Sequence, residues 1–207
     1  RYRVGMEPVE VETVRFEVDA GVTLEGDRLT PTHPVGGAVV CHPHPLYGGS
    51  RRDVVVDSAT RALVDAGWDV LRFDFRSAGG STGNHGGGIP EQLDLRAAID
   101  VVADDRPVIV AGYSFGADVA LSVTDPRISR WITVAPVLSI FTEFAAAHDA
   151  RPKTLIAAAH DQFRPAAELS SAVEAWRNTD VVVVEGADHF FYGAQRAIVD
   201  AIGAVLA

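Results

Sequence analysis

The 207-residue chain has little cysteine, few basic side chains and no long apolar run. Its single cysteine, Cys41, excludes an intramolecular disulfide and a thiolate metal cluster, so a reducing, cytoplasmic setting is expected. A net charge of −10 repels a phosphate backbone, so no nucleic-acid partner is expected. No apolar run approaches the ~20 residues that span a bilayer, and the amino end lacks a signal-peptide pattern. We therefore expect a soluble, unexported protein without a membrane partner.

The remaining composition is that of an ordinary globular domain. With 47% hydrophobic and 22% charged residues, the chain lacks the bias of disordered, collagen-like or coiled-coil proteins. No repeat or linker divides it, so a single domain over residues 1–207 is expected. Residues 1–5 precede the only methionine, Met6, and are treated as upstream sequence outside the fold prediction.

Strand patterns of two kinds alternate with helical ones. Residues 9–18 alternate apolar and charged side chains, which predicts a strand with one wet face, and residues 22–29 resemble its hairpin partner. Six nearly continuous apolar runs are typical of strands covered on both faces: 38–41, 70–73, 108–111, 131–134, 154–157 and 181–184. Helical periodicity occurs at 54–66, 91–103, 115–124, 165–176 and 194–206. This order predicts an α/β fold with a doubly wound, mostly parallel sheet of about eight strands and an antiparallel N-terminal edge.

The pattern Gly-x-Ser-x-Gly occurs twice, at residues 79–83 and 112–116. Ser114 follows an apolar strand and precedes a helix start, which is the context of a nucleophile elbow. Such a sharp turn needs small neighbours and places the hydroxyl at a helix amino terminus, where developing negative charge is favoured. Ser81 is followed by more glycine and no helix, so we expect it in a loop at the carboxyl edge of the sheet, without a catalytic role.

A serine nucleophile needs an imidazole base that a carboxylate orients. In this architecture the acid and then the histidine follow the serine, each after a later strand. Asp161 follows the run 154–157 and His189 follows the run 181–184. We predict that Ser114 is the nucleophile, Asp161 the acid and His189 the base.

Other residues compete for the acid and base roles. His160 adjoins a strand end and is expected to pack or to form hydrogen bonds. Asp188 is a weaker candidate for orienting His189, because adjacent residues on an extended turn point in different directions. Three residues in the stretch that follows the run 131–134, where the acid is sometimes placed, stay open as alternatives: Glu143, His148 and Asp149.

The segment 42–49, H-P-H-P-L-Y-G-G, follows the strand expected beside the elbow strand. Acyl transfer needs two N–H donors for the oxyanion, one of them from Phe115, the residue after the nucleophile. The two prolines carry no N–H, which leaves His44 first and Leu46 second as the other donor.

A metal site is the competing interpretation of this segment, because Cys41, His42 and His44 are potential ligands. Cys41 and His42 alternate faces on a strand, and no further ligand has suitable spacing, so no metal is expected. Dinucleotide, Walker and zinc-protease patterns are absent from the sequence, and no cofactor is expected.

Together these motifs resemble those of serine α/β-hydrolases, and more narrowly of small dienelactone-hydrolase-like hydrolases with an H-P-x-x-x-x-G-G loop. The matching segments are 42–50, 72–77 with Gly79 and Ser81, 112–116 and 188–191. The resemblance implies the α/β-hydrolase fold, a triad of Ser114, Asp161 and His189, and no metal or organic cofactor.

Two features depart from this family. Dienelactone hydrolases proper use a cysteine nucleophile where Ser114 stands, so dienelactone is not the expected substrate. The relatives carry an acidic residue where this chain has N-H-G-G-G at 84–88, which is expected to alter one wall of the pocket.

The expected function is hydrolysis of small carboxylic esters through an acyl-enzyme. Only residues 135–152 are available for a cap, so no large lid is expected and the pocket should be open. The candidate wall residues are Leu46, Tyr47, Leu138, Phe163, Phe190 and Tyr192. A thioesterase, amidase or acyltransferase would use the same triad, and a non-catalytic binding protein is the alternative of another class. The expected partner is a small ester or acyl substrate, and the sequence carries no signal of oligomeric state.

Overall fold

The computed structural model describes residues 3–4, 7–19 and 21–207. The strands in these ranges are β1 (Arg3–Val4), β2 (Glu7–Pro8), β3 (Glu10–Glu17), β4 (Thr23–Thr30), β5 (Gly37–Cys41), β6 (Asp69–Asp74), β7 (Val108–Tyr113), β8 (Ile128–Val134), β9 (Lys153–Ala158) and β10 (Thr179–Val184). The α-helices are α1 (Val54–Asp65), α2 (Glu91–Val102), α3 (Phe115–Ser122), α4 (Ala166–Ala172) and α5 (Gln195–Leu206). Of the segment 1–5, residues 1, 2 and 5 lie outside the described residues.

Eight strands form one sheet in the order β10-β9-β8-β7-β5-β6-β4-β3. β4 runs antiparallel to both β3 and β6, and the other neighbours are parallel, which confirms the predicted sheet with its antiparallel N-terminal edge. β5 lies between β6 and β7, with Cys41 paired to Gly112. The segment 42–49 and the Ser114 turn therefore leave adjacent strands at the same edge of the sheet.

Helices cover both faces of the sheet. Ala38 and Val40 of β5 join the core under α1 and α5, while Val39 and Cys41 join the core under α2 and α3. This two-sided burial is what the continuous apolar runs predicted for the central strands.

Two elements differ from their predictions. The run 181–184 lies in β10, an edge strand in which only Val184 is buried, because no further strand covers its outer side. α4 ends at Ala172 instead of continuing to residue 176. Beyond Val173 the chain turns and brings the Trp176 ring to 5.7 Å from the Phe144 ring, so tertiary packing ends the helix early.

The carboxyl edge of the sheet is open. Between β8 and β9 the described chain contains only a 3₁₀ turn, Ala145–His148, and no cap domain. None of the helices within the described ranges has the length and apolar character needed to cross a bilayer.

Candidate active site

Ser114 occupies a strained turn between β7 and α3. Its φ of 52° and ψ of −116° are unusual for a residue with a side chain, and its N–H donates to Val134 O at 3.0 Å. A Cβ on Gly112 would lie 2.3 Å from Gly116 O, and one on Gly116 would lie 2.5 Å from the carbonyl oxygens of Cys41 and His42. Both glycines are therefore required by close backbone contacts, and the strand–turn–helix context predicted for Ser114 is present.

The three residues predicted as a triad are brought together by hydrogen bonds. His189 Nε2 lies 3.0 Å from Ser114 Oγ, and His189 Nδ1 lies 2.8 Å from Asp161 Oδ2. Because a carboxylate only accepts, Nδ1–H donates to Asp161 and Nε2 is left to accept from the serine hydroxyl. His189 and Asp161 are buried, whereas Ser114 is half-buried.

Asp161 is held by its own loop as well as by the imidazole. Its Oδ1 accepts the backbone N–H groups of Phe163 at 2.8 Å and Arg164 at 3.0 Å. Burial acts to raise the pKa of Asp161, but the hydrogen bonds from His189 and from the two backbone N–H groups outweigh it, and the net pKa is lowered. The site thus keeps an ionised carboxylate beside His189.

The loop that carries His189 is fixed from two sides. The Tyr113 hydroxyl donates to His189 O at 2.9 Å, and burial raises the pKa of Tyr113, so that this donor keeps its proton. The Phe163 ring lies 4.6 Å from the imidazole. The imidazole is therefore oriented by its backbone anchor and by aromatic contact as well as by Asp161.

His42 supports the loop after β5. Its Nδ1 lies 2.5 Å from Pro43 O, and its Nε2 accepts the Phe75 N–H at 3.0 Å. Burial lowers the pKa of His42 to about 4, so the ring is neutral. Because Nδ1 carries the proton and the lone pair of Nε2 is already engaged, His42 has no free nitrogen lone pair for a metal ion.

The predicted oxyanion donors differ in their availability. Within the described chain, neither the Phe115 N–H nor the His44 N–H has a protein acceptor. The Leu46 N–H, the second choice, instead donates to His44 Nδ1 at 3.2 Å. The rings of His44 and Phe115 lie 4.9 Å apart, so the two free donors belong to neighbouring segments. Free N–H groups in the first turn of a helix are suited to developing negative charge.

A cavity of about 740 Å³ opens beside Ser114. Four of the predicted wall residues line it: Tyr47, Phe163, Phe190 and Tyr192. Leu46 and Leu138 do not. The Leu46 side chain points into solvent, 65% exposed, and Leu138 packs against the apolar core beneath α3 and α4. No residue of 84–88 lines the cavity either, because His85 packs behind it against the rings of His44 and Phe115.

Known proteins share this architecture. No family model matches the chain. An uncharacterized protein of Rickettsia prowazekii, RP471, is 32% identical in an alignment of 177 residues that covers 78% of this chain and 74% of the relative. An α/β serine hydrolase homologue from Coxiella burnetii superposes with a TM-score of 0.86 and 29% identity, over 96% of this chain and 97% of that one. An α/β serine hydrolase without a lid from Xanthomonas campestris superposes with a TM-score of 0.84 and 28% identity, over 95% of this chain and 94% of that one.

The chain belongs to the α/β serine hydrolase superfamily. This membership supports hydrolase activity in general, and it agrees with the absence of a cap domain from the described chain. The narrower resemblance to dienelactone-hydrolase-like proteins stays a prediction.

The competing residues lie in other environments of this hydrolase. The His160 side chain is exposed, and Asp188 accepts the Phe190 N–H instead of contacting His189. Asp149 is paired with Arg151 at the amino end of β9, the opposite edge from Ser114. Three further wall residues lie on the loop after β8 and were not predicted from the sequence: Val137, Ser139 and Ile140.

Asp53 is a further cavity residue that was not predicted from the sequence. It caps α1 by accepting the Val55 N–H at 2.8 Å, and burial raises its pKa. An aspartate before a helix is an ordinary cap, so nothing local in the sequence distinguishes it from any other cap.

Proposed function

We propose that this single-domain α/β hydrolase is a serine esterase that cleaves small carboxylic esters through an acyl-enzyme on Ser114. One observation above all supports the proposal. Ser114 Oγ, at a strained turn, is hydrogen-bonded to His189 Nε2, and His189 Nδ1 is hydrogen-bonded to Asp161 Oδ2. Each group has the role that its chemistry allows.

In the acylation step, Ser114 Oγ attacks the ester carbonyl carbon while His189 Nε2 takes the hydroxyl proton. The electron pair of the carbonyl π bond moves to oxygen, and the N–H groups of Phe115 and His44 stabilise this oxyanion. Asp161 stabilises the imidazolium. When the oxyanion collapses, the bond to the alcohol oxygen breaks and His189 gives its proton to the departing alcohol.

Deacylation repeats the sequence with water. His189 takes a proton from water as the water oxygen attacks the acyl carbon, and it returns the proton to Ser114 Oγ when the acyl–enzyme bond breaks. The products are the carboxylic acid and the regenerated serine.

The cavity favours small, apolar esters. Its walls are mainly aromatic and aliphatic, with Tyr47, Phe163, Phe190 and Ile140 among them, and none of the described Arg or Lys residues lines it. Apolar walls bind acyl and alkyl groups by excluding water. The lack of a cap over the described carboxyl edge leaves room for exchange of substrate and product.

The decisive experiment is intact mass after incubation with a fluorophosphonate. One adduct is expected on the wild type and on Ser81→Ala, and none on Ser114→Ala. A wild type that stays unmodified while a known serine esterase reacts would contradict the proposal. The next measurement compares the hydrolysis rates of an oxygen ester and a thioester that share the same acyl group. Faster hydrolysis of the thioester would contradict the proposed ester substrate and favour a thioesterase.

A further inference from the structure

Asp118 is a fully buried carboxylate on α3, one helical turn after Ser114. It accepts four successive backbone N–H groups from the loop after β8. Oδ1 accepts from Val137 at 3.0 Å and Leu138 at 2.9 Å, and Oδ2 accepts from Ser139 at 3.0 Å and Ile140 at 3.2 Å. Among the residues that the structure describes, no Arg, Lys or His is paired with this carboxylate, and its hydrogen-bond partners are the four peptide N–H groups.

Four successive N–H groups converge on one carboxylate only where the backbone is curled. In this loop Ala135 and Leu138 have φ values of 44° and 53°, in the left-handed region that residues with side chains seldom adopt. A backbone concavity of this kind binds anions, and here the protein supplies the anion itself. Without two acceptor oxygens, four N–H groups would be left unpaired beside a buried helix, which is costly.

The same loop is held at its other side by Arg164. Its Nε donates to Val137 O at 2.8 Å, and its backbone N–H donates to Asp161 Oδ1 at 3.0 Å. The loop is thus tied both to the helix that follows the nucleophile and to the loop that carries the predicted acid. Its residues Val137, Ser139 and Ile140 line the cavity beside Ser114.

We propose that Asp118 is a positioning residue that sets the acyl-chain selectivity of the enzyme, by holding residues 137–140 as one wall of the cavity. The inference rests on the proposed esterase function. Asp118 itself lies behind the wall and does not line the cavity. A loosened wall gives longer acyl chains more room, while the serine, histidine and aspartate keep their contacts.

The first test is Asp118→Asn, which keeps the side-chain shape but turns one acceptor oxygen into a donor that faces two N–H groups. With p-nitrophenyl acetate and octanoate, the ratio of kcat/KM for octanoate to that for acetate is expected to rise about 5- to 10-fold, mainly through KM. The rate of fluorophosphonate labelling of Ser114 should stay within about threefold, because the probe reports on the nucleophile and its base.

Arg164→Met tests the other attachment without disturbing a buried charge, and it serves if Asp118→Asn does not fold. It should move the ratio in the same direction by a smaller factor. The matched control is Asp69→Asn. Asp69 is also buried, and it accepts hydrogen bonds from Arg28 and Thr30 at the amino end of β6, the opposite edge of the sheet from Ser114. Asp69→Asn should therefore lower stability and leave the octanoate-to-acetate ratio of kcat/KM unchanged.

Amide hydrogen exchange separates this inference from the esterase proposal. Exchange at residues 137–140 should rise at least about tenfold in Asp118→Asn relative to Asp69→Asn, whether or not any ester is cleaved. An unchanged ratio in both Asp118→Asn and Arg164→Met would overturn the inference. The same conclusion would follow if Asp69→Asn shifted the ratio equally.

Discussion

The two Gly-x-Ser-x-Gly segments of this chain have the same pattern and opposite environments. Ser114 Oγ meets an imidazole at 3.0 Å, whereas Ser81 Oγ donates to Asp74 O at 2.6 Å and accepts the Glu25 N–H at 3.0 Å. The first hydroxyl contacts an imidazole nitrogen, which is chemically able to accept a proton. The second is occupied by main-chain partners that cannot act as a base, so it joins β4 to the end of β6.

The glycines of the Ser81 segment are also needed, for a different reason. A Cβ on Gly80 would lie 2.6 Å from a carboxylate oxygen of Glu25, and one on Gly79 would overlap the Asp74 carboxylate. The carboxylates of Glu25 and Asp74 form ion pairs with Arg51, which follows the segment 42–49 and Ser50. The Ser81 segment is therefore a structural support next to the loop that carries His44.

The Gly-x-Ser-x-Gly pattern therefore indicates close contact between main-chain segments, and it does not by itself indicate a catalytic serine. Both turns bring the main chain against other groups, and small residues satisfy both. The partners of the two hydroxyl groups differ: Ser114 Oγ meets the imidazole of His189, 75 positions along the chain, whereas Ser81 Oγ is bonded to main-chain groups of Glu25 and Asp74.

Asp161→Asn, which changes the residue that contacts His189 beside Ser114, is expected to lower kcat/KM more than any other substitution considered. The amide would favour the wrong imidazole tautomer, and kcat/KM should fall by about 10⁴-fold. Steady-state hydrolysis of a p-nitrophenyl ester measures it, with Ser81→Ala as the control. A loss smaller than tenfold would mean that Asp161 does not orient the base.

The same glycine-to-alanine change in the two segments is expected to have different effects, on activity in the Ser114 segment and on stability in the Ser81 segment. In Gly116→Ala the new methyl group would meet the Cys41 and His42 carbonyl oxygens, which belong to the main chain, so activity should fall at least about 100-fold through a displaced nucleophile. In Gly83→Ala the methyl group would lie 3.2 Å from a Val22 side chain at a φ of +85°, and the expected cost is about 1 kcal/mol of stability without loss of activity. Comparable activity losses in the two variants would contradict the assignment of a structural role to the Ser81 segment.

The Ser114 side should also show a pH-dependent stability. The folded-state pKa of Asp161 is lowered, so its carboxylate contributes stability above about pH 4, and this contribution is lost as the pH falls through the lower folded value. Urea unfolding should show a larger stability difference between wild type and Asp161→Asn at pH 7 than at pH 3. A difference that grows towards pH 3 would contradict the lowered pKa.

Ser81→Ala should have the smallest effect on catalysis. Loss of the hydroxyl removes the acceptor for the Glu25 N–H, and stability should fall by about 1 to 2 kcal/mol, while kcat/KM stays within about twofold of wild type. Thermal unfolding and ester hydrolysis measure the two quantities. A large loss of activity at unchanged stability would give Ser81 a catalytic role that its contacts do not support.

Much of the fold was predictable because its signals are local. Apolar runs and helical periodicity depend on neighbours along the chain, and they identified the eight strands of the main sheet. The strand at residues 181–184 is confirmed, but its expected burial on both faces is wrong, because an apolar run does not show that a strand lies at the edge of the sheet. Helical periodicity also overextended α4, which ends where Trp176 turns to pack against Phe144.

The candidate site divides in the same way. Chain order and strand ends were enough to select Ser114, Asp161 and His189, which lie in hydrogen-bond contact. The cavity walls were less predictable. Leu46 and Leu138 have suitable side chains, but loop conformation turns one into solvent and the other into the core.

The layered α/β architecture, the small residues around Ser114 and the order of the candidate nucleophile, acid and base could be predicted from the sequence, because they depend on residue types and their spacing along one chain. Three features could be seen only in the folded chain: Ser81 Oγ is occupied by main-chain groups of β4 and β6, Asp118 accepts four N–H groups of a distant loop, and the Leu46 N–H is already bonded. Hydrogen bonds need donors and acceptors within about 3 Å at suitable angles, and residues far apart in sequence reach that geometry only when the chain is packed.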